Sequence, residues 1–498
     1  MRNLLGSNPW FSYGVFRVSR VLFYSTEALS SSSPPVDSLY DRISRIGNPR
    51  VSIVPVLNQW VEQGRDVKQA QLQKIIRQLR KYRRFTHALQ ISEWISIERN
   101  HGLSSGDTAV HLDLISKVHG LEQAEKYFDS IPDSLRGYQI HGALLNCYAE
   151  KQSFDKAEVI FKEMRELGFL KNSLSYNVML SLYSQMSKHE KLASLVQEME
   201  AKGIKCDKFT FNIRLNAYAA NSDIEGMEKL LTSMEADPLV DIDWNTYVII
   251  ANGYLKAGQF EKALTMLRRS EQLIGGKARR FAYEQLLTLY AVLANKDEVY
   301  RIWNLYKNIG RRYNSGYVCV LSSLVKLNDI DGAEKILEEW ESGDTRLDFR
   351  VPCMLIRAYW KKGLPEKAEA YIKRLIESGK KPDARIWNCM STGYYMDGQM
   401  AKAVETMKKA VLACEQQWKP NRFTLAACLE YLKGEGNVEV ADEILTLLRE
   451  QGFVSTGMYN RLQNYISGEN PDSGVLDELK NSDSVEEDDL AINRERHM

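Results

Sequence analysis

Between residues 173 and 207 the apolar positions change face twice. Tyr176, Met179, Leu180 and Tyr183 fall at i, i+3, i+4 and i+7, the spacing of one face of a helix. Leu192, Leu195, Val196 and Met199 repeat that spacing after a polar turn, Ser184 to Glu190. The pattern predicts two amphipathic helices. Gly203 ends the second, because glycine takes a left-handed cap with no Cβ penalty. One such pair cannot bury its own apolar faces, so a self-similar unit of this length implies a stack.

The unit recurs. Tyr176-Asn177 returns 35 residues later as Phe211-Asn212. Aromatics near the start of first helices stand at Tyr176, Phe211, Tyr247, Tyr283, Tyr317, Trp387 and Tyr459. Small residues where the second helix crosses the first stand at Ala88, Ala124, Ala157, Ala263, Ala333, Ala368, Ala403 and Ala441. An alanine there lets two helix axes approach to about 8 Å. Aligning these positions gives units at 69–104, 105–137, 138–172, 173–207, 208–243, 244–279, 280–313, 314–348, 349–383, 384–421 and 422–455, with a half unit to about 468. The fold class that follows is all-α: an α-solenoid superhelix of stacked antiparallel helix pairs, with about 11 repeats of ~35 residues. A heptad coiled coil is excluded, because turn signals interrupt each run before a third heptad.

Composition changes the picture at the two ends. Residues 1–26 hold Arg2, Arg17 and Arg20 with no acid, interspersed with Leu, Phe, Val, Tyr and Ser. That is the character of an organelle transit peptide, taken as residues 1–30, with Tyr24-Ser25-Thr26 as the processing region. The arginines and the aromatic-serine junction favour the mitochondrion, with the chloroplast as the alternative. Ser30 to Pro35 reads as a flexible joint. Residues 31–68 read as a linker and N-terminal capping helices, since a terminal unit must offer a polar outer face. Residues 469–498 carry ten acids against three bases and too little apolar area to offset ordering, so they read as a disordered acidic tail. The solenoid itself spans 69–468, and residues 27–468 are left with a net charge of +5, which permits a polyanionic partner.

Chemistry is scarce. The seven cysteines are scattered and never spaced as CxxC, which argues for a reducing compartment and against a structural zinc site. No apolar run reaches 18 residues, so a membrane span is not expected. Gly275-Gly276-Lys277 is a turn rather than a phosphate-binding loop, and His189-Glu190 stands without the second histidine of a metal site. No catalytic constellation, cofactor or small-molecule substrate is implied. The densest basic run is Lys74, Arg77, Arg80, Lys81 and Arg84 (with Arg83 beside them). It reads equally as a phosphate-contacting patch or a solvated helix face.

An aromatic-Asn pair opening a helix, a Gly before the second helix (Gly258, Gly363, Gly398, Gly436), the crossing alanine, a late Met (Met164, Met199, Met234) and endings such as Gly379-Lys-Lys-Pro-Asp383 together resemble the pentatricopeptide repeats of the P class, plant organellar type. A tetratricopeptide array has a nearby period; the Asn after the aromatic and the Asp or Asn endings separate the two. The resemblance implies a binding protein for single-stranded RNA, an organellar transcript, with the residue after the aromatic and the last residue of each unit reading a base. Carried over, the pairs are Asn177 with Asp207, Asn212 with Asp243, and Asn388 with Asn421. The first two resemble uridine readers and the third a pyrimidine reader. Asn172, Asp348 and Asp383 keep only the second member, beside Gly142, Val318 and Cys353. Val248 with Arg279, Glu284 with Tyr313, and Ala426 fit no familiar pair. Glu284 in particular sets an unpaired negative charge where a base would dock. The alternative for the asparagines is helix capping.

Three functions are compatible with these residues. The first is an organellar RNA-binding protein acting in transcript stability, processing or translation. The second is a structural subunit of the mitochondrial ribosome or another ribonucleoprotein. The third is a protein–protein scaffold.

Overall fold

The helices begin where the sequence supplies a side-chain acceptor for the orphan N–H groups of a first turn. Ser104, Asn172, Asp207, Asp243, Asp383, Asn421 and Ser455 are N-caps whose side chains accept from backbone N–H groups two or three residues on. The last residue of one unit therefore starts the first helix of the next.

A computed structural model describes residues 38–481 apart from 48–50, 66, 99–103, 311, 344–346, 415–417 and 469–473. The expected transit peptide, the joint at Ser30 to Pro35 and the end of the acidic tail beyond 481 lie outside the described residues. The chain divides between Ile242 and Asp243 into two compact units.

The first unit opens with the short helices Leu39–Arg45 and Val54–Glu62 and continues with five pairs: Gln69–Lys81 with Phe85–Glu98, Ser105–Val118 with Leu121–Ser130, Tyr138–Glu150 with Phe154–Glu166, Ser173–Gln185 with His189–Ala201, and Lys208–Ala220 with Ile224–Ala236. The second holds six pairs: Trp244–Lys256 with Phe260–Gln272, Arg279–Val292 with Lys296–Lys307, Asn314–Lys326 with Ile330–Glu341, Arg350–Lys361 with Pro365–Glu377, Ala384–Met396 with Met400–Leu412, and Arg422–Gly434 with Val438–Glu450. Thr456–Ser467 follows as the half pair. Among the described residues all regular structure is helical. Within each unit, consecutive first helices pack on one another and on their own second helices. Each unit is a stack of antiparallel helix pairs, and the fold class is an α-solenoid.

Packing explains the period. All eight crossing alanines are 0% exposed, so the crossing leaves no room for a larger polar group. Three pairs use Leu192, Met227 and Val299 at that place, each buried. The tight turn between the helices needs one left-handed residue. Gly258, Gly363, Gly398 and Gly436 supply it with φ of 72°, 66°, 78° and 70°. Arg83, Gln152, Ser187, Ser222, Ala294 and Asn328 occupy the same conformation at 54° to 61°, at a steric cost glycine avoids.

A recurring polar staple ties neighbouring pairs. Glu158 Oε1 accepts from Tyr183 Oη (3.0 Å) and Lys191 Nζ (2.5 Å). Glu334 does the same with Tyr359 (2.8 Å) and Lys367 (2.7 Å), and Glu369 with Tyr394 (2.7 Å) and Lys402 (3.1 Å). The hydrogen bonds from Tyr394 and then Lys402 hold the Glu369 carboxyl below the usual carboxylate range.

The end of the chain differs from expectation. Gly474–Asn481 is a helix, with Val475, Leu476 and Leu479 buried against Arg422–Gly434 and Thr456–Ser467. Residues 474–481 are thus not part of a disordered tail. Three apolar side chains on one face suffice once the last repeat offers them an uncovered surface.

Candidate nucleic-acid interface

Asn177 lies in the middle of its first helix, so it cannot cap it. Its Nδ2 donates to both carboxylate oxygens of Asp207 (3.1 and 3.2 Å), and its Oδ1 accepts from Thr210 Oγ1 (2.7 Å). Asp207 also accepts from Thr210 N (2.8 Å) and Ser173 Oγ (2.6 Å). The network fixes which way the amide points: oxygen towards Thr210, nitrogen towards Asp207. The pair foreseen from sequence is therefore brought together, and Thr210 and Ser173 are members that the sequence did not reveal.

The other second-position residues share the capping role. Asp243 accepts from Asn245 N (3.0 Å) and Thr246 N (3.1 Å). Asn172 accepts from Leu174 N (3.0 Å) and is exposed. Asp383 accepts from Arg385 N and Ile386 N (3.1 Å each), and burial nevertheless raises its carboxyl above the usual range. Asp348 accepts from Arg350 N (3.1 Å) and pairs with the Arg350 guanidinium (2.6 Å). Burial raises that carboxyl, but the Arg350 hydrogen bonds outweigh it and leave it lowered. In the third pair, Asn421 N donates to Asn388 Oδ1 (3.0 Å), while Asn421 Oδ1 caps Thr424 N (2.9 Å). Capping thus describes Asn172 and Asn421, and it does not describe Asn177, Asn212 or Asn388. Asn177, Asn212 and Asn421 are 3% exposed.

Glu284 is not unpaired. Its Oε1 accepts from Ser315 Oγ (2.6 Å) and Tyr306 Oη (3.3 Å), with Arg280 Nε at 3.7 Å.

The basic run separates into two kinds of residue. Arg84 is a clamp on the N-terminal capping helix: its guanidinium donates to the carbonyls of Ile43 (3.0 Å), Ser44 (3.3 Å) and Ile46. Arg80 pairs with Asp113 (2.6 Å). Lys74, Arg77 and Lys81 remain on the exposed face. A second basic row went unnoticed in the sequence: Lys256, Lys326, Lys361 and Lys433 sit in the last turns of first helices. Lys326 is half-buried, burial lowers its pKa, and it has no ion-pair partner among the described residues. The signal was available as a lysine two or three residues before the left-handed turn.

Among the described residues, no three His, Cys, Asp or Glu side chains gather as metal ligands, and no helix is long and apolar enough to cross a membrane.

Comparison with known proteins agrees with this architecture. Residues 171–220 match the PPR repeat family, and 140–169, 209–238, 245–272 and 353–379 match the PPR repeat. A mitochondrial pentatricopeptide repeat-containing protein of Arabidopsis thaliana is 46% identical over 471 residues, covering 95% of this chain and 96% of that protein. The large ribosomal subunit protein mL101 of Arabidopsis thaliana is 42% identical over 418 residues, 83% of this chain and 84% of that one. Among solved structures, the maize repeat protein PPR10 in complex with an 18-nt psaJ RNA element is 18% identical with a TM-score of 0.47, over 83% of this chain and 58% of that one. With near-full-length identity of that order, this chain belongs to the pentatricopeptide repeat family.

Proposed function

We propose that the chain is a mitochondrial RNA-binding protein that grips a single-stranded segment along its first helices and acts by binding, not catalysis. The observation that carries this is the held amide of Asn177. Asp207 occupies one side of Nδ2 and Thr210 one lone pair of Oδ1. An amide held in this way offers uracil a donor for O4 and an acceptor for N3–H. Asn212 is the corresponding residue of the following repeat, so two consecutive uridines are the favoured ligand. Asn388 with Asn421 extends the reading to a pyrimidine. Lys74, Arg77, Lys81 and Lys326 are the cations available to phosphates. The mitochondrial placement rests on the acid-free, arginine-bearing opening and on the mitochondrial relative.

The test replaces Asn177 and Asn212 by Ala and titrates single-stranded RNAs with and without a UU step. Losing a base contact costs roughly 1–3 kcal/mol, and the loss should fall on UU-containing RNA with the salt slope unchanged. Equal losses on both RNAs would sink base reading.

A second reading rests on the burial of these same amides. At 3% exposure, the Asn177 network is also a tie between two repeats, which suits a subunit of the mitochondrial ribosome gripping RNA and protein by shape. The ribosomal relative supports it. Co-sedimentation of the native protein with ribosomal particles decides between the two.

A further inference from the structure

Two cysteines meet inside the second compact unit. Cys353 belongs to the helix Arg350–Lys361 and Cys389 to Ala384–Met396, consecutive first helices that pack on each other. They are 36 residues apart. The same offset brings Ser323 Oγ to the Leu287 carbonyl (3.1 Å) between the first helices of repeats 314–348 and 280–313, so it is an offset at which such helices touch. Both cysteines carry free thiols, both are buried at 2% and 4% exposure, and the two thiols hydrogen-bond to each other. Arg357 lies one turn beyond Cys353 on the same helix and hydrogen-bonds to Cys389. The contact divides the pair. The hydrogen bond from Cys353, helped by the Arg357 guanidinium, draws Cys389 below the usual thiol range in spite of burial, and the same bond raises Cys353. Cys147 and Cys428 are the contrast. Their thiols meet the hydroxyls of Ser116 and Ser391, and burial pushes both up to about 12, which leaves them inert.

We infer that Cys353 and Cys389 are a reversible dithiol modification site: a small hydroperoxide oxidises them to a disulfide that ties repeat 349–383 to repeat 384–421. Cys389 is the attacking thiol, because the thiolate is the nucleophile and a neighbouring guanidinium favours it. Its sulfur attacks the outer oxygen of the hydroperoxide. An S–O bond forms, the O–O bond breaks, and the alcohol (water, for hydrogen peroxide itself) leaves with the Cys389 proton. The Cys353 sulfur then attacks the sulfur of the sulfenic acid. The S–S bond forms, the S–O bond breaks, and water leaves with the Cys353 proton. Two electrons pass from the sulfurs to the peroxide, and nothing else is consumed. Burial selects the oxidant, since hydrogen peroxide is the size of a few atoms and a peptide disulfide cannot reach either sulfur. Thiols already in hydrogen-bond reach need only a short approach to the S–S distance of about 2.05 Å. The inference stands on these side chains alone and does not depend on RNA binding.

The test treats the full chain with hydrogen peroxide, unfolds it, labels the remaining thiols with a maleimide and maps the peptides by mass. Of the seven cysteines, Cys353 and Cys389 should lose their label together, their two peptides should appear joined, and dithiothreitol should restore both. The cross-link closes a long loop in the unfolded chain, so the melting transition of the second unit should rise by roughly 5–15 °C on oxidation and fall back on reduction. In Cys353→Ser the oxidation should stop at Cys389 as the sulfenic acid, which dimedone traps. In Cys389→Ser neither the disulfide nor a dimedone adduct at Cys353 should form. Full labelling of both cysteines after peroxide overturns the inference, and so does either of them joined to a different cysteine. A dimedone adduct at Cys353 in Cys389→Ser overturns Cys389 as the attacking thiol. Should the variants not fold, the unaltered chain decides alone, by the joined peptides and by the melting shift that dithiothreitol reverses.

Discussion

Arg84→Ala should loosen the N-terminal end of the solenoid without altering how the chain meets a polyanion. The guanidinium satisfies three carbonyls at the end of Leu39–Arg45, where an α-helix leaves orphan acceptors. The Ile43 carbonyl keeps a second donor, Ile46 N at 3.2 Å; those of Ser44 and Ile46 lose the bond Arg84 gives them. A buried acceptor left without a partner costs about 1–3 kcal/mol, and charge-assisted bonds lie at the upper end, so about 3 kcal/mol is a fair total. That exceeds what a seven-residue helix can lose and stay docked, even with Leu39 and Ile43 buried beneath it. Hydrogen exchange should therefore speed up across residues 38–62, and the first melting transition should fall.

Arg84→Lys separates this account from phosphate contact. A lysine keeps the charge but loses the planar fork that reaches several carbonyls, so the clamp account expects it to behave nearly as badly as alanine. A phosphate contact would be largely rescued. Exchange protection unchanged in Arg84→Ala, together with an RNA salt slope flattened by about one, would refute the clamp.

Other outcomes follow from the same geometry. Ala263→Glu forces a carboxylate into a 0%-exposed crossing at a cost on the order of several kcal/mol, so the melting curve should collapse; an unchanged curve would mean the repeat register is wrong. Ala294→Gly relieves a left-handed alanine at φ 54° and should raise the unfolding free energy from urea titrations by about 0.5–1 kcal/mol after the entropy of glycine is set against the strain. Burial raises the Glu198 carboxyl, but the bonds from Arg165, Lys202 and Tyr176 pull it down from 4.5 to about 2. Its contribution is therefore present above pH 4.5 and is lost as pH falls towards 2. The stability gap between the unaltered chain and Glu198→Gln, kept small by solvent screening of the partly exposed pair, should close over that window in urea titrations. A reporter fused to residues 1–60 should enter mitochondria, and cytosolic retention would count against the transit peptide.

What was legible in the sequence was whatever repeats. The crossing alanines and the aromatic-asparagine openings recur because each repeat meets its neighbour through the same surface, so one unit read correctly predicts the rest. What was not legible depends on partners far along the chain. Nothing around Arg84 shows that its acceptors lie about forty residues upstream, and nothing around Arg80 names Asp113. Charge density alone cannot tell a clamp from a phosphate contact. Glu284 looked unpaired for the same reason: Ser315 comes from the next repeat and Tyr306 from the second helix of its own. At Gly474–Asn481 the acidic composition pointed to disorder, but Val475, Leu476 and Leu479 find an exposed end of the stack to cover.

On the RNA-binding reading proposed above, the residue after the aromatic does two jobs at once. In Asn177 one oxygen lone pair and one amide face tie consecutive first helices, and the rest of the amide is what a base could meet. Glu284 makes the corresponding tie through Oε1, which accepts from Ser315 of the next repeat. On that reading recognition and stacking share one side chain, and a stack transmits a weakened interface to both neighbours. An alanine at either position removes the tie along with the reading edge, so a drop in RNA affinity by itself proves nothing about base contact. The two contributions separate only in their dependence on sequence. A broken tie weakens every RNA alike, whereas a lost reading edge discriminates among bases. Sequence preference, rather than affinity, is the quantity that reports what these side chains do.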